Sequence, residues 1–277
     1  MIIIIFSLCS LWQILILIMS HFIINTAIAN VYKEPSHNSA VVTQALLGES
    51  CRIIDYGDKW YKIKQWDGYE GWTYYFYGVE SNTKYEPNIV LHDMFGTVVS
   101  SDKKTIISHL VFGSHTQAEE KQDGFHIILP DGRKGFSYNN FGENRKQTSR
   151  VEIVKTARRF LGTPYLWGGK TPYGMDCSGL VQTVFKANGI DLPRDSSKQA
   201  EFFTNKIDDE NIEYGDLLFF SENDEITHVA ISTGGRDFIN ARGFVQEESI
   251  DEKSPQFNRN LRNLFFHAVS IKELMSL

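Results

Sequence analysis

Apolar and polar residues follow three patterns along the chain. Residues 1–20 carry no charged side chain, and the first charge is Lys33. A run this apolar reads as an export signal or a membrane anchor. It has no basic residue near Met1. The Ala27-Ile28-Ala29 triplet resembles a small-residue cleavage site, but Ile23 to Tyr32 also reads as a strand. Cys9 follows Leu8, not the small residue a lipoprotein cleavage site needs, so it is expected to pack within the leader. From Ile23 to Ser149 short apolar runs alternate with turn residues, as in Tyr61-Lys62-Ile63-Lys64 before Trp66-Asp67-Gly68-Tyr69. That spacing predicts small β-modules. After Arg150 the period lengthens. Val151, Val154, Ala157, Phe160 and Leu161 predict an amphipathic helix of about three turns, ended by Gly162-Thr163-Pro164. A second helix is expected from Cys177, with Leu180, Val181, Val184 and Phe185 on its apolar face and Asn188-Gly189 at its end. Strands are then expected at Asp216–Phe220, Thr227–Thr233 and Asp237–Ala241, the last two joined at Gly234-Gly235. Helices first and strands after make an α+β domain.

The strand-rich half repeats. Asp67-Gly68-Tyr69-Glu70-Gly71-Trp72 has a counterpart about 64 residues further on, Asp131-Gly132-Arg133-Lys134-Gly135-Phe136. Each pairs an Asp-Gly turn with a Gly-aromatic step, and such turns suit hairpins that need positive φ. Two unrelated hairpins are the simpler alternative. The first copy resembles a bacterial SH3-like module through Thr43-Gln44-Ala45-Leu46-Leu47-Gly48-Glu49 and the Asp67–Trp72 segment. The expected organisation is a leader over 1–22, SH3-like β-barrels over 23–82 and 83–146, and a third domain over 147–277.

Composition narrows the chemistry. A net charge of −6 argues against a general nucleic-acid binder, which needs a basic face. Three cysteines without paired spacing leave neither a disulfide framework nor a zinc site. No His-x-x-x-His pair and no Gly-rich phosphate loop is present, so no metal and no cofactor are expected. Cys51 falls at a strand position and is expected to be buried and inert. Cys177 is different, because Asp176-Cys177-Ser178-Gly179 opens a predicted helix. A thiol there faces unpaired N–H groups and the positive end of the helix dipole, which favour thiolate. The same N–H groups could help hold an oxyanion. His228, on the Thr227–Thr233 strand, is the candidate base, and Asn240 on the partner strand the candidate orienting acceptor. Cys, His and Asn in that order match the roles found in papain-like enzymes.

These residues sit within motifs that resemble the NlpC-type cell-wall peptidases over about residues 150–270. The motifs are Gly162-Thr163-Pro164-Tyr165-Leu166-Trp167-Gly168-Gly169, Asp176-Cys177-Ser178-Gly179-Leu180-Val181, Pro193-Arg194-Asp195-Ser196, Gly215-Asp216-Leu217-Leu218-Phe219-Phe220 and Thr227-His228-Val229. The resemblance implies a papain-like fold, Cys177 as nucleophile, His228 as base and Tyr165 beside the thiol. Many relatives carry a second His where this chain has Asn240. With SH3-like modules in front, it further implies a γ-D-glutamyl-L-diamino-acid endopeptidase acting on murein stem peptides. A free α-amine on L-Ala would be bound by Asp176, helped by Glu49 and Tyr69 of the first module.

Ser178 keeps the turn beside the thiol small, and Ser196 either reaches the substrate backbone or caps the following helix. Asp208-Asp209-Glu210 is expected to be a solvated loop. Two other readings remain at this point: a wall-binding protein with an inactive papain-like domain, and an amidase or acyltransferase on another acyl substrate. The expected location is exported if the leader is real and cytoplasmic otherwise. Membrane contact is expected only through residues 1–20.

Overall fold

The computed structural model describes residues 21–143 and 148–275. The expected leader, with Cys9, therefore lies outside the described residues up to Ser20. Among the described residues no helix is long and apolar enough to cross a membrane. The chain divides into two compact units, residues 1–141 and 142–277.

The first unit holds two sheets built alike. The first comprises β1 (His21–Ile24), β2 (Ile28–Tyr32), β3 (Val41–Leu46), β4 (Ser50–Tyr56), β5 (Trp60–Lys64), β6 (Glu70–Tyr74) and β7 (Gly78–Ser81). The second comprises β8 (Ile89–Leu91), β9 (Phe95–Ser100), β10 (Ile106–Val111), β11 (His115–Lys121), β12 (Gly124–Ile128), β13 (Lys134–Ser137) and β14 (Phe141–Gly142). Their strand orders are β3-β2-β6-β5-β4-β1-β7 and β10-β9-β13-β12-β11-β8-β14, the same path taken twice. The repeat is therefore structural, not two unrelated hairpins. Gly68 and Gly132 both turn at φ +82°, where a side chain would be strained. A Cβ on Gly71 or Gly135 would stand 2.6 or 2.5 Å from Val31 or Val98, so both positions need glycine.

Each sheet has its own core. Phe22, Ile24, Val31, Cys51 and Ile63 pack in the first, and Leu91, Val98, Leu110 and Ile127 in the second. Cys51 is buried, as a structural thiol should be. Leu47, from the turn after β3, packs into the second core, and its carbonyl accepts from His115 N at 2.8 Å. The expected barrels are not closed. β3 and β7, and likewise β10 and β14, end their strand orders, and closure would need a ladder between them.

Among the described residues, the second unit sets four α-helices beside a six-stranded antiparallel sheet. The helices are α1 (Arg150–Arg158), α2 (Cys177–Ala187), α3 (Ser196–Phe202) and α4 (Arg259–Leu264). A short ribbon, β15 (Lys170–Thr171) and β16 (Gly174–Met175), precedes α2. The sheet runs β17-β22-β18-β19-β20-β21 from β17 (Lys206–Ile207), β18 (Leu217–Glu222), β19 (Glu225–Gly234), β20 (Asp237–Arg242), β21 (Phe244–Ser249) and β22 (Phe265–Val269). α1, α2 and α3 all pack on β19, which places the start of α2 against the middle of the sheet. α1 is shorter than its apolar pattern implies, because tight turns take over after Arg158 and Gly162 adopts φ +85°. α2 ends as expected, at Asn188, with Gly189 at φ +81°.

Two carboxylates tie distant segments of the unit together. Asp216 is fully buried and accepts from Glu213 N at 2.8 Å, Ile271 N at 3.0 Å and the Arg150 guanidinium. The Gly215-Asp216 motif is thus structural. Asp209 is more than a solvated loop residue: Arg236 and Arg262 reach it at 3.1 and 2.8 Å, which ties its loop to the sheet and to α4.

Candidate active site

Cys177 is the first residue of α2, and Asp176 is its N-cap. The Asp176 carboxylate does more than cap. Oδ1 accepts from Gly179 N at 2.7 Å, from Ser178 Oγ at 3.2 Å and from Arg194 Nη1 at 2.9 Å. Oδ2 accepts from Gly168 N at 2.8 Å and Arg194 Nη2 at 2.7 Å. An ionised carboxylate has about four lone-pair sites, so this one has a full set of donors. The Ser178 hydroxyl also accepts from Arg194 Nη1 at 2.9 Å. A buried, bidentate Arg–Asp pair therefore fixes the turn that carries the thiol.

The thiol itself is buried. Burial pushes the Cys177 pKa up to about 11, and the nearby Asp176 charge pushes the same way. N–H groups of Val229 and Ser178 and the charge of Arg194 pull it down, but not far enough. The helix start was expected to favour thiolate. Desolvation outweighs that pull, so the resting thiol is protonated.

His228 lies on β19, one residue before the Val229 whose N–H bonds the thiol. Its Nε2 stands 3.0 Å from Oδ1 of Asn240 on the neighbouring β20. Burial lowers the His228 pKa to about 4, against raising contributions from Asn240 and Glu248. The resting pair is a neutral thiol and a neutral imidazole. Asn240 is fully buried, and its Nδ2 donates to Glu248 Oε2 at 2.9 Å.

Tyr165 follows the bridge between Pro164 and Phe244, and its N–H donates to Gly243 O at 2.8 Å. Burial raises its phenol to about 12, with further contributions from Cys177 and Asp176. Its hydroxyl therefore lies within the field of the thiol. The segment that follows exposes Leu166, Trp167 and Tyr173.

Residues 162–260 match the NlpC/P60 family, and residues 27–74 match the bacterial SH3 domain. The chain carries an NlpC/P60 domain. A crystal structure of an NlpC/P60 family protein from Bacillus cereus shares the fold, with TM-score 0.78 and 21% identity, covering 90% of this chain and 99% of that one. A γ-D-glutamyl-L-lysine dipeptidyl-peptidase of Bacillus cereus is 28% identical over 222 residues, 72% of this chain and 66% of that protein. Dipeptidyl-peptidase 6 of Lysinibacillus sphaericus is 28% identical over 262 residues, 86% of this chain and 95% of that protein.

Within the NlpC/P60 domain Asp176, Cys177 and Ser178 form the start of α2, Tyr165 lies near the thiol, and His228, next to the Val229 that bonds the thiol, is hydrogen-bonded to Asn240. Ser196 is the first residue of α3, and Asp195 takes the cap position, so Ser196 is not the cap. Glu49 and Tyr69 belong to the first unit. Glu49 is buried in the β3–β4 turn, where Oε2 accepts from Leu46 N at 3.0 Å. Tyr69 lies in the β5–β6 turn, its N–H donating to Asp67 Oδ1 at 2.9 Å.

Sequence reasoning gave no role to two residues of the NlpC/P60 domain. Arg194 stands inside the Pro193-Arg194-Asp195-Ser196 motif, where its signal is an Arg beside Pro and Asp. Glu248 had no local signal. Only the β20–β21 pairing, Phe238 opposite Glu248 and Asn240 opposite Gln246, sets its carboxylate diagonally beside Asn240.

Proposed function

We propose that this chain is a cysteine endopeptidase of bacterial cell-wall peptides. Its proposed target is the bond between γ-D-Glu and the diamino acid in stem peptides that begin with free L-Ala. The observation that carries the reading is the thiol at the start of α2, bonded by Val229 N–H beside a His228 already hydrogen-bonded to Asn240. The named activities of the Bacillus cereus and Lysinibacillus sphaericus relatives support the peptidase class.

Catalysis starts from the neutral pair. As Cys177 Sγ attacks the scissile carbonyl, His228 takes its proton, so charge develops only along the reaction path. The Cys177 N–H at the start of α2 is the proposed donor to the developing oxyanion, since the N–H groups of Ser178 and Gly179 serve the thiol and Asp176. The imidazolium then protonates the leaving amine, and water releases the acyl group from sulfur. Asn240 holds the ring, and Tyr165 lines the site.

Asp176 has a different proposed role from the one its position suggested. An ammonium would be a sixth partner on a carboxylate already supplied with donors. We assign it to fixing the Cys177 turn, and assign selection of the free amine to Glu49 and Tyr69. The division at 23–82, 83–146 and 147–277 and an exported location go with this reading.

The test is incubation with L-Ala-γ-D-Glu-L-Lys peptide and mass analysis of the fragments. Release of L-Ala-γ-D-Glu is expected. Cys177→Ala should lower the rate by roughly 10³-fold or more. Near-native turnover in that variant would remove Cys177 from the mechanism.

A further inference from the structure

We propose that Glu248 is a positioning residue whose carboxylate sets the orientation of the Asn240 amide, and through it which His228 nitrogen accepts the thiol proton. The proposal rests on reading Cys177, His228 and Asn240 as the catalytic groups. It names a residue outside that set.

Glu248 Oε2 lies 2.9 Å from Asn240 Nδ2 and 3.3 Å from Arg242 Nε. Oε1 lies 2.7 Å from Arg242 Nη2 and 2.6 Å from Asn258 Nδ2. Burial pushes the Glu248 carboxyl up, but hydrogen bonds from Arg242, Asn240 and Asn258 outweigh it and hold the group below its ordinary range. The group is therefore an ionised carboxylate, and a carboxylate only accepts. Asn240 must turn its NH2 toward Glu248 and its carbonyl oxygen toward His228. That oxygen also only accepts, so His228 Nε2 carries the hydrogen. Nδ1 is left with the lone pair that a general base needs.

With the amide reversed, NH2 would face Nε2. The ring would then favour a hydrogen on Nδ1, which could not take a proton from sulfur. Asn240 is fully buried, so bulk water does not set its orientation. An amide alone has no preference strong enough to fix the tautomer, because oxygen and nitrogen exchange places with little change in shape. The charge behind it supplies that preference.

The test uses the full chain and two variants. Glu248→Gln keeps the shape but adds a donor, so Asn240 can reverse. The swap Asn240→Asp with Glu248→Gln exchanges carboxylate and amide, so the new carboxylate again accepts from His228 Nε2–H. The readout is the 15N NMR signature of the His228 ring, assigned by its loss in His228→Gln. It needs no substrate.

The unsubstituted protein should show the Nε2–H tautomer. Glu248→Gln should gain Nδ1–H, with kcat on the L-Ala-γ-D-Glu-L-Lys peptide falling about tenfold or more and KM little changed. The swap should restore Nε2–H and most of kcat. Should Glu248→Gln fail to fold, Glu248→Ser takes its place, since a hydroxyl can donate or accept. An unchanged Nε2–H signature in the single variant, or a swap no better than the single variant, would overturn the proposal. Absence of peptide cleavage by the unsubstituted protein would instead overturn the function, and the tautomer would still decide the role of Glu248.

Discussion

Removing the Arg194 guanidinium tests whether the turn that carries Cys177 is held by the buried ion pair. The Arg194 side chain is 1% exposed and the Asp176 side chain 10%. Arg194→Met keeps most of the volume and deletes the charge. Asp176 would retain three donors, the N–H groups of Gly168 and Gly179 and the Ser178 hydroxyl. Breaking one side of a buried pair destabilises by about 3–5 kcal/mol, and the surviving donors place this case near the lower end, about 3 kcal/mol. That corresponds to roughly a hundredfold change in the local opening equilibrium. Hydrogen exchange followed by mass spectrometry on peptides spanning 168–187 reads it directly, with exchange at Gly179 and its neighbours expected to speed up by about that factor. Asp176→Asn combined with Arg194→Met should recover much of the loss, because the orphaned charge is gone and Asn still caps a helix. Exchange rates in Arg194→Met within about twofold of the unsubstituted protein would refute the reasoning, since about 3 kcal/mol cannot vanish from so buried a site. So would a double variant no more protected than the single one.

Three other outcomes are expected. Asn240→Ala should slow turnover less than His228→Ala does, and Asn240→His should keep activity, as steady-state kinetics on the tripeptide would show; a silent Asn240→Ala would move the orienting role elsewhere. His228 is neutral in the folded protein with its pKa lowered to about 4, against an ordinary value of 6.5, so protons bind more readily to the unfolded chain. Its contribution to stability is present above about pH 6.5 and lost as pH falls toward 4, by about 2 kcal/mol after discounting for partial exposure, so denaturant titrations at pH 7 and pH 4 should differ by about that much less in His228→Gln. Finally, acetylating the L-Ala amine should lower kcat/KM by roughly thirtyfold or more, and Glu49→Gln should narrow the gap; equal rates on free and acetylated peptides would remove amine selection from Glu49.

Local chemistry made much of this protein readable from its residues alone. The Asp-Gly turns and Gly-aromatic steps marked two copies of one module, because positive φ and close backbone approach admit little besides glycine. Asp176, Asn188 and Gly189 marked both ends of α2, because caps act within a turn of the residues they serve. With α2 placed, Cys177 stood out as the thiol at a helix start, and alternation along β19 and β20 put His228 and Asn240 on neighbouring strands. Contacts distant in sequence were beyond the reach of such signals. Leu47 packs in the core of the second sheet, and both sheets remain open, because side-chain packing and strand closure are settled only when the elements meet. The protonation state of the thiol reversed its local tendency, since desolvation depends on everything packed around Cys177 and not on its helix alone. The Arg194 clamp on Asp176 and the Glu248 contact with Asn240 likewise arise from folding, because an ion pair or a hydrogen bond exists only where tertiary structure brings its two partners within about 3 Å.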